Sequence, residues 1–382
     1  MKKELEIYIH IPFCVKKCAY CDFLSGPQDR DTIEKYVDKL VEEIGVQKPA
    51  TVSSIFLGGG TPSILEPSQI FKIFKVLNCT FKIEKDAEIT IEANPGTVTV
   101  EKLEAYKQCG INRISFGLQS TNNEELKLLG RIHTYEEFLE SYQLARACGF
   151  ENINVDLISA IPKQTVASWE ETLKKVIALE PEHISAYSLI VEEGTPFAKV
   201  YGEGCPGEHD LPCEEEERAI YYRTEELLER AGYHRYEISN YAKAGKECRH
   251  NLGYWERKDY LGIGLGAASL VNNVRYKNTD DLLYYMEHSS DLSAIQENVE
   301  KLSLQEQMEE FMFLGLRKTE GVSVTEFKNT FGKTMEECYG EQIQKLKEQG
   351  LLEQKDGRLM LTRPGIDVSN YVFGEFLIAC QY

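Results

Sequence analysis

The sequence predicts an α/β protein, with a partial or full barrel of parallel strands followed by a small C-terminal winged-helix-like α+β domain. Three observations lead to this prediction. Short β-branched or apolar segments alternate with longer segments of helical period. Several of the short segments are apolar at nearly every position, which is typical of strands covered on both faces. Six such units in succession favour a barrel over an open sheet.

The elements of the barrel follow in order along the chain. Strands are predicted at Leu5–Ile11, Ser54–Leu57, Glu88–Glu92, Arg113–Leu118, Asn152–Ile158 and His183–Ile190. Helices are predicted at Thr32–Val46, Pro67–Val76, Val100–Cys109, Tyr135–Cys148 and Val166–Leu179. Functional residues of parallel barrels collect at the carboxyl ends of the strands. Three cysteines, a run of three glycines and Glu92 fall at these ends.

The pattern changes after the sixth strand. A Gly- and acid-rich stretch near residue 200 leads into a helix that ends near residue 231. Amphipathic helices are predicted at Gln305–Leu316 and Cys338–Gln349, and a small β-wing at residues 350–362. We therefore predict a barrel core at residues 1–230, a connecting segment at 231–298 and a winged-helix-like domain at 299–382.

Composition and charge exclude several classes of protein. The 382 residues include 62 acidic and 43 basic side chains, which gives a formal net charge of −19. This balance repels phosphate backbones, so we expect no nucleic-acid partner. No apolar run approaches the roughly 20 residues of a membrane-spanning helix, and the N-terminus lacks the pattern of a signal or transit peptide. We expect a cytoplasmic protein, with peripheral membrane contact left open.

Three of the eleven cysteines lie within eight residues of each other, at Cys14, Cys18 and Cys21. Iron–sulphur clusters usually take four cysteines, and the next one, Cys79, is too distant for a local fourth ligand. Three thiolates would hold three irons of a [4Fe–4S] cluster and leave the fourth iron open. An open iron can chelate S-adenosylmethionine (SAM) and reduce its sulfonium. The alternatives are a Cys₃His zinc site that includes His10, and chance clustering of buried thiols.

Two further motifs are predicted to lie at the same end of the barrel. Gly58–Gly60 follows the second strand, and glycines there would let backbone groups approach a ligand closely. Glu92 ends the third strand and offers an acceptor for ribose hydroxyls or an ammonium group. The alternatives are a plain glycine-rich turn and a carboxylate that caps the next helix.

Together these motifs resemble the HemN/HemW branch of the radical SAM proteins along essentially the whole chain. The segments that carry the resemblance are YIHIPFCVKKCAYCDF, GGGTPS, EANPGT, ISFGLQS, LGRIH and DLI with PKQ after it, at residues 8–23, 58–63, 92–97, 114–120, 129–133 and 156–164. The resemblance implies a barrel of the radical SAM type. One departure is Ser159-Ala160 before Ile161-Pro162, where relatives commonly have Tyr-Gly before Leu-Pro.

The resemblance also implies roles for individual residues. Cys14, Cys18 and Cys21 would bind the [4Fe–4S] cluster. The residues expected to contact SAM are Tyr8, Tyr20, Gly59, Gly60, Thr61 and Glu92. Gln119, Arg131 and Asp156 match positions that line the SAM or substrate pocket.

Two functions compete within this branch. One is the oxygen-independent coproporphyrinogen III oxidase, which decarboxylates a tetrapyrrole, and the other is a haem chaperone of the HemW type. Phe23 stands where the oxidase carries an extra cysteine, and we expect no N-terminal extension of the kind the oxidase resemblance would require. The sequence therefore favours a chaperone that binds haem, a cluster and SAM and delivers haem to target proteins, including respiratory ones. The alternatives are the oxidase and, third, a zinc-stabilised barrel without catalytic activity. The protein is expected to be a monomer or a cluster-dependent dimer.

The hexapeptide from His250 to Trp255 matches the HNxxYW signature of HemW-like proteins. Histidine is a common haem ligand and aromatic side chains stack on porphyrins, so His250, Tyr254 and Trp255 are expected to contact haem. Cys248 is an alternative ligand, and Arg249 is a candidate partner for a haem propionate. Whether His250 is the axial ligand is left open.

Overall fold

The computed structural model describes residues 4–377. Cys380 lies outside this range. Six parallel strands form the centre of the fold at β1 (Leu5–Ile11), β2 (Thr51–Gly59), β3 (Lys82–Ala93), β4 (Arg113–Gln119), β5 (Ile153–Ser159) and β6 (His183–Ser188). All six predicted strands are present, and β2 and β3 are longer than predicted.

Helices connect these strands and cover the outside of the sheet. They are α1 (Arg30–Gly45), α2 (Pro67–Thr80), α3 (Val100–Gln108), α4 (Asn123–Leu128), α5 (Tyr135–Ala147) and α6 (Val166–Ile177). Side chains at the N-caps start several of them: Asp29 accepts a hydrogen bond from the backbone N–H of Thr32, and Thr134 forms a capping box with Glu137. The short α4 was missed by the sequence analysis.

The strands form one sheet of twelve, in the order β12-β11-β10-β9-β1-β2-β3-β4-β5-β6-β8-β7. The added strands are β7 (His234–Arg235), β8 (Asn240–Ala242), β9 (Asp259–Ile263), β10 (Ala268–Val271), β11 (Val274–Asn278) and β12 (Gln296–Lys301). Residues 231–298, predicted as a connection, thus extend both edges of the sheet. Strand β9 runs parallel to β1, while β8 is antiparallel to β6.

The sheet curves into a partial barrel. Side chains from β1 to β6 line a common internal cavity, yet β6 pairs with β5 and β8 and not with β1. The barrel core contains many fully buried apolar side chains, including Ile7, Leu57 and Trp169. The helices of the segment that follows β6 are α7 (Ala198–Tyr201), α8 (Glu214–Arg230), α9 (Arg249–Trp255), α10 (Leu282–His288) and α11 (Leu292–Ile295).

The C-terminal domain has its own hydrophobic core, which includes Met312, Phe327 and Tyr339. Its helices are α12 (Leu304–Gly315), α13 (Val324–Phe331), α14 (Met335–Glu348), α15 (Arg363–Asp367) and α16 (Ser369–Gly374), and its strands are β13 (Val322–Ser323), β14 (Leu352–Lys355) and β15 (Arg358–Leu361). Strands β14 and β15 form the predicted wing. Across residues 4–377, none of the helices combines the length and apolar character needed to cross a bilayer.

Candidate functional site

The three clustered cysteines lie on the loop between β1 and α1. Two backbone hydrogen bonds close the base of this loop, from Cys14 N to Gly26 O at 3.1 Å and from Gly26 N to Pro12 O at 3.0 Å. A third, from Ala19 N to Leu129 O at 3.0 Å, ties the loop to the end of α4. The loop is therefore held in place at the carboxyl end of the barrel strands, where the sequence analysis predicted the functional residues to lie.

The chemistry of the loop is that of a thiolate site. Burial raises the pKa of the Cys14 and Cys21 thiols, and a bound cation would favour their thiolate forms. His10 is an unsuitable fourth ligand because its Nδ1 is 3.0 Å from the Tyr8 hydroxyl and its Nε2 is 2.9 Å from Leu24 O. These contacts argue against a Cys₃His zinc site.

A cavity of about 410 Å³ opens beside the cysteine loop. It brings together most of the residues predicted for the cluster and SAM. The predicted residues that line it are Cys14, Cys18, Cys21, Tyr20, Gly59, Gly60, Thr61, Glu92, Gln119, Arg131 and Asp156. Tyr8 is the predicted SAM residue that does not line it.

Glycine is required where β2 meets the cysteine loop. A Cβ on Gly60 would be 2.5 Å from the Phe13 carbonyl oxygen, and Gly59 has a φ of +108°. The close approach is fixed by hydrogen bonds from Gly60 N to Ile11 O at 2.8 Å and from Thr61 N to Phe13 O at 2.7 Å. Backbone atoms of this turn consequently form one wall of the cavity.

Glu92 places a buried carboxyl group in the cavity. It accepts a hydrogen bond from Gly59 N at 3.1 Å. Burial, with a smaller contribution from nearby Asp156, raises the pKa of Glu92 to about 8. A cationic or hydroxyl-bearing ligand would supply the partner that favours its ionised form. Asp156 is already held by Ser115 Oγ at 2.9 Å and Asn154 Nδ2 at 2.7 Å.

Arg131 connects the cysteine loop to the strand ends. Its Nη2 donates to Asn94 Oδ1 at 2.7 Å and to Gly117 O at 2.6 Å, and its Nη1 lies 3.5 Å from Cys18 Sγ. Its buried Nε has no hydrogen-bond partner among the described residues. Asn94 was missed as a site residue, although its place in the EANPGT segment could have indicated it.

A second cavity of about 250 Å³ lies deeper in the barrel and shares Glu92 and Asp156 with the first. Tyr8, His250 and Tyr254 line it. So does Arg113, which is fully buried and whose Nε has no hydrogen-bond partner within residues 4–377. Sequence reasoning missed Arg113, although an arginine at the start of an apolar strand is a signal that could have found it.

The hexapeptide forms α9 and is divided between two environments. His250 is buried, with Nδ1 2.8 Å from Ser54 Oγ and Nε2 3.0 Å from the Tyr254 hydroxyl, and burial lowers the pKa of His250 to about 3. An iron ligand at His250 would have to displace one of these hydroxyls. Trp255 lines neither cavity, and its ring centroid lies 4.4 Å from the guanidinium carbon of Arg317.

The neighbours of the hexapeptide are also engaged in the fold. Cys248 is buried, and its Sγ lies 3.5 Å from Glu88 Oε1, so this contact holds the thiol in the core. Arg249 donates to Asp86 O at 2.8 Å and to Ser53 O at 3.1 Å. Both side chains therefore fasten α9 to the barrel.

Known proteins resemble this chain over most of its length. The family model of the Radical SAM superfamily matches residues 8–176, and that of the HemN C-terminal domain matches residues 302–368. A protein of Lactococcus lactis subsp. lactis (strain IL1403) named Heme chaperone HemW is 37% identical over 378 residues, 99% of this chain and 98% of the relative. One of Bacillus subtilis (strain 168) with the same name is 36% identical over 375 residues, 97% and 98% of the two chains.

Among solved structures, the coproporphyrinogen III oxidase HemN from Escherichia coli matches with a TM-score of 0.86 at 24% identity, covering 99% of this chain and 91% of that chain. At this identity the likeness establishes the fold. The match to the Radical SAM superfamily implies a [4Fe–4S] cluster and SAM as cofactors.

The residues around the larger cavity fit these two cofactors. Within residues 4–377, no three His, Cys, Asp or Glu side chains converge on a single-ion site. A cluster needs no such convergence because each thiolate binds a different iron. The glycine backbone, the free Nε of Arg131 and the buried Glu92 carboxyl supply contacts for a nucleotide with amino, carboxylate and hydroxyl groups. With two relatives sharing more than a third of their residues across nearly its whole length, the chain belongs to the HemW family of radical SAM proteins.

Proposed function

We propose that the protein is a cytoplasmic haem chaperone, which binds haem, a [4Fe–4S] cluster and SAM and delivers the haem to target proteins. The observation that carries this proposal is the similarity, over 99% and 97% of the chain, to two proteins named as haem chaperones. Phe23, at the place of the additional cysteine of the oxidase, favours the same function.

The proposed cofactor site uses the residues of the larger cavity. Cys14, Cys18 and Cys21 would hold the cluster, and the residues proposed to contact SAM are Tyr8, Tyr20, Gly59, Gly60, Thr61, Glu92, Gln119, Arg131 and Asp156. When both cofactors are bound, a reduced cluster would supply the electron that cleaves the SAM sulfonium. Arg131 supports a charged ligand in two ways, since it points a donor at Cys18 and keeps one nitrogen free.

Other chain residues hold the cofactor site in shape. The Asn94 amide donates to Thr61 Oγ1 at 2.8 Å, which links the ends of β2 and β3. Ser63 Oγ and Thr97 Oγ1 are 2.6 Å apart and reinforce the same link. Lys102 reaches back from α3 to Ser63 O at 2.8 Å. These bonds keep the cavity wall rigid, which reduces the entropy lost on binding.

The cofactor assignment has a direct test. Oxygen-free purification should yield a brown protein with iron and sulphide in equal amounts. Replacing Cys14, Cys18 and Cys21 with serine should abolish both, while serine at the exposed Cys79 should leave both unchanged. A colourless protein with stoichiometric zinc would refute the assignment.

The haem proposal is tested by titrating the purified, cluster-loaded protein with haem and following the Soret band. We expect saturable binding, followed by transfer to a haem-free acceptor protein. The alternative, a coproporphyrinogen III oxidase, predicts decarboxylation when SAM and a reductant are supplied. Turnover of coproporphyrinogen would contradict the chaperone proposal, as would the absence of saturable haem binding.

The proposed partners are haem-accepting proteins, including respiratory ones reached by peripheral contact at a membrane. We further propose that the protein is either a monomer or a dimer that forms only when the cluster is bound. Size-exclusion chromatography with light scattering, before and after cluster loading, separates the two states. An unchanged mass would refute a cluster-dependent dimer.

A further inference from the structure

The inner cavity of about 250 Å³ contains a buried cation that the fold leaves without a partner. Arg113 is fully buried, and none of the described residues forms a hydrogen bond or an ion pair with its side chain. An arginine does not lose its proton in a protein, so burial cannot neutralise it as it neutralises a carboxyl group. Because a buried charge without partners is strongly destabilising, the guanidinium needs acceptors from a molecule inside the cavity.

The acidic side chains near Arg113 are held by other groups. Glu88 accepts the first two backbone N–H groups of α9, at 3.1 Å each. Asp156 accepts hydrogen bonds from Ser115 and Asn154. The charges of Glu88 and Asp156 favour the protonated form of Arg113, but neither carboxylate forms an ion pair with it. The donors of the guanidinium therefore remain available.

The strand register places Arg113 at the deep end of the cavity. Arg113, Ser115 and Gly117 face the interior in alternation along β4, and Gly117 borders the larger cavity. Arg113 pairs with Thr90 of β3, whereas Ser115 pairs with Glu92. Two residues along a strand span about 7 Å, so Glu92 belongs to a layer nearer the cofactor cavity. A molecule held at Arg113 would extend from there toward that cavity.

The hexapeptide supplies a second donor at the deep end. Asn251 lines the inner cavity, and its side chain forms no hydrogen bond within residues 4–377. Arg113 lies beside the same helix, since its charge adds to burial in lowering the pKa of His250. Both ring nitrogens of His250 already meet hydroxyl groups. The amide of Asn251 is therefore the group of α9 that can act together with Arg113.

The size and the wall of the cavity limit what it can hold. Its volume of about 250 Å³ corresponds to about eight water molecules, which admits a molecule of about nine non-hydrogen atoms and excludes a nucleotide or a tetrapyrrole. The rings of Tyr8, Phe56 and Tyr254 form much of the wall. Aromatic walls with one charged group at a defined position are typical of sites for small molecules.

From these observations we infer that the inner cavity binds a small monocarboxylate. Its carboxylate accepts hydrogen bonds from Arg113 and Asn251, and its apolar body packs against Phe56 and Tyr254. Glu92 does not repel it, because burial raises the pKa of Glu92 to about 8 and leaves it protonated at neutral pH when no cation is bound. The site goes beyond the proposed function, since it requires neither haem nor transfer to an acceptor.

The test uses benzoate and benzamide, which have the same number of non-hydrogen atoms and differ in charge. Isothermal titration of the cluster-loaded protein should show saturable binding of benzoate, about tenfold tighter than benzamide, because a carboxylate forms charge-assisted hydrogen bonds with arginine. Benzoate should also raise the melting temperature of the protein. If benzoate fails to saturate at millimolar concentration, or binds no better than benzamide, the cavity holds only water and the inference is wrong.

Variants locate the site. Arg113→Met should abolish the preference for benzoate over benzamide, and Asn251→Ala should weaken benzoate binding about fivefold. Arg30→Gln, at the exposed start of α1, is the matched control and should bind both probes as wild type does. Circular dichroism and iron content check the fold of each variant.

The outcomes separate this inference from the chaperone proposal. If Arg113→Met retains the preference, the carboxylate site lies elsewhere and the inference fails. If Arg113→Met does not fold, Asn251→Ala decides, and unchanged benzoate affinity in that variant refutes the site. None of these results changes the haem titration of the wild type, so the chaperone proposal stands or fails independently.

Discussion

The contact between Gly60 and the cysteine loop makes a sharp prediction for Gly60→Ala. The added Cβ would lie 2.5, 2.8 and 2.9 Å from the O, C and N atoms of Phe13, which are backbone atoms that cannot rotate away. The clash can be relieved only by moving the turn after β2 away from the residue that precedes Cys14. Gly60 has no positive φ, so the effect should come from the clash and not from backbone strain.

The size of the effect follows from the bonds that this movement would break. The hydrogen bonds from Gly60 N to Ile11 O and from Thr61 N to Phe13 O, at 2.8 and 2.7 Å, join the two segments. A net contribution of about 0.5–1.5 kcal/mol for each gives about 1–3 kcal/mol in total. At 1.4 kcal/mol per tenfold, we expect SAM affinity to fall roughly 5- to 140-fold, with partial loss of the cluster.

The assay is an oxygen-free measurement of iron and sulphide per chain, followed by equilibrium dialysis with SAM. Gly26→Ala is the matched control, because Gly26 lies in the same loop and a Cβ there would meet nothing within 4 Å. The control should keep wild-type iron content and SAM affinity. If Gly60→Ala also keeps both, the close approach of β2 to the cysteine loop does not shape the cofactor site.

Three further predictions concern charge and stability. Burial raises the pKa of Glu6 from 4.5 to about 8, so the free energy of unfolding should fall as pH rises through this range. In denaturant titrations between pH 5 and 9, Glu6→Gln should show a shallower fall than wild type. An equally steep fall in the variant would contradict this. Arg131→Gln should keep the iron but lower SAM affinity about tenfold, because the guanidinium donors that join Cys18 to the strand ends are lost. Unchanged SAM affinity in equilibrium dialysis would contradict this role of Arg131. Trp169→Phe should lower the free energy of unfolding by about 1–3 kcal/mol, because the hydrogen bond from Trp169 Nε1 to Thr224 Oγ1 at 2.8 Å is lost. A change below about 0.5 kcal/mol would contradict this expectation.

The barrel strands could be predicted because their signal is local. In β5, six of the seven residues are buried and four of these are apolar (Ile153, Val155, Leu157 and Ile158), a pattern that can be recognised without knowledge of the neighbouring strands. The C-terminal wing was predictable for a similar reason, since two short apolar runs flank a turn. Strands β7 and β8 have only two and three residues, so their pairing depends on the edge of β6 and no local pattern marks them.

The candidate site also combines features that a local sequence pattern predicts with features that depend on distant contacts. The cysteines and glycines form short motifs, so their convergence at one cavity could be predicted. The position of Trp255 could not, because it depends on the packing of α9 against the end of α12. Nothing in the spacing of the hexapeptide indicates that His250 lines the inner cavity while Trp255 packs against Arg317, or that both ring nitrogens of His250 meet hydroxyl groups.

The pairing of β1 with β9 affects the order in which parts of the protein fold during synthesis. The strand that carries the cysteine loop lies between β2 and β9, in register from Leu5 opposite Asp259. During synthesis β1 therefore has an open edge until residue 259 has left the ribosome, and contacts so distant in sequence form late. We expect stable insertion of iron and sulphide to wait for that stage, so a nascent chain stalled before residue 259 should not retain the metal.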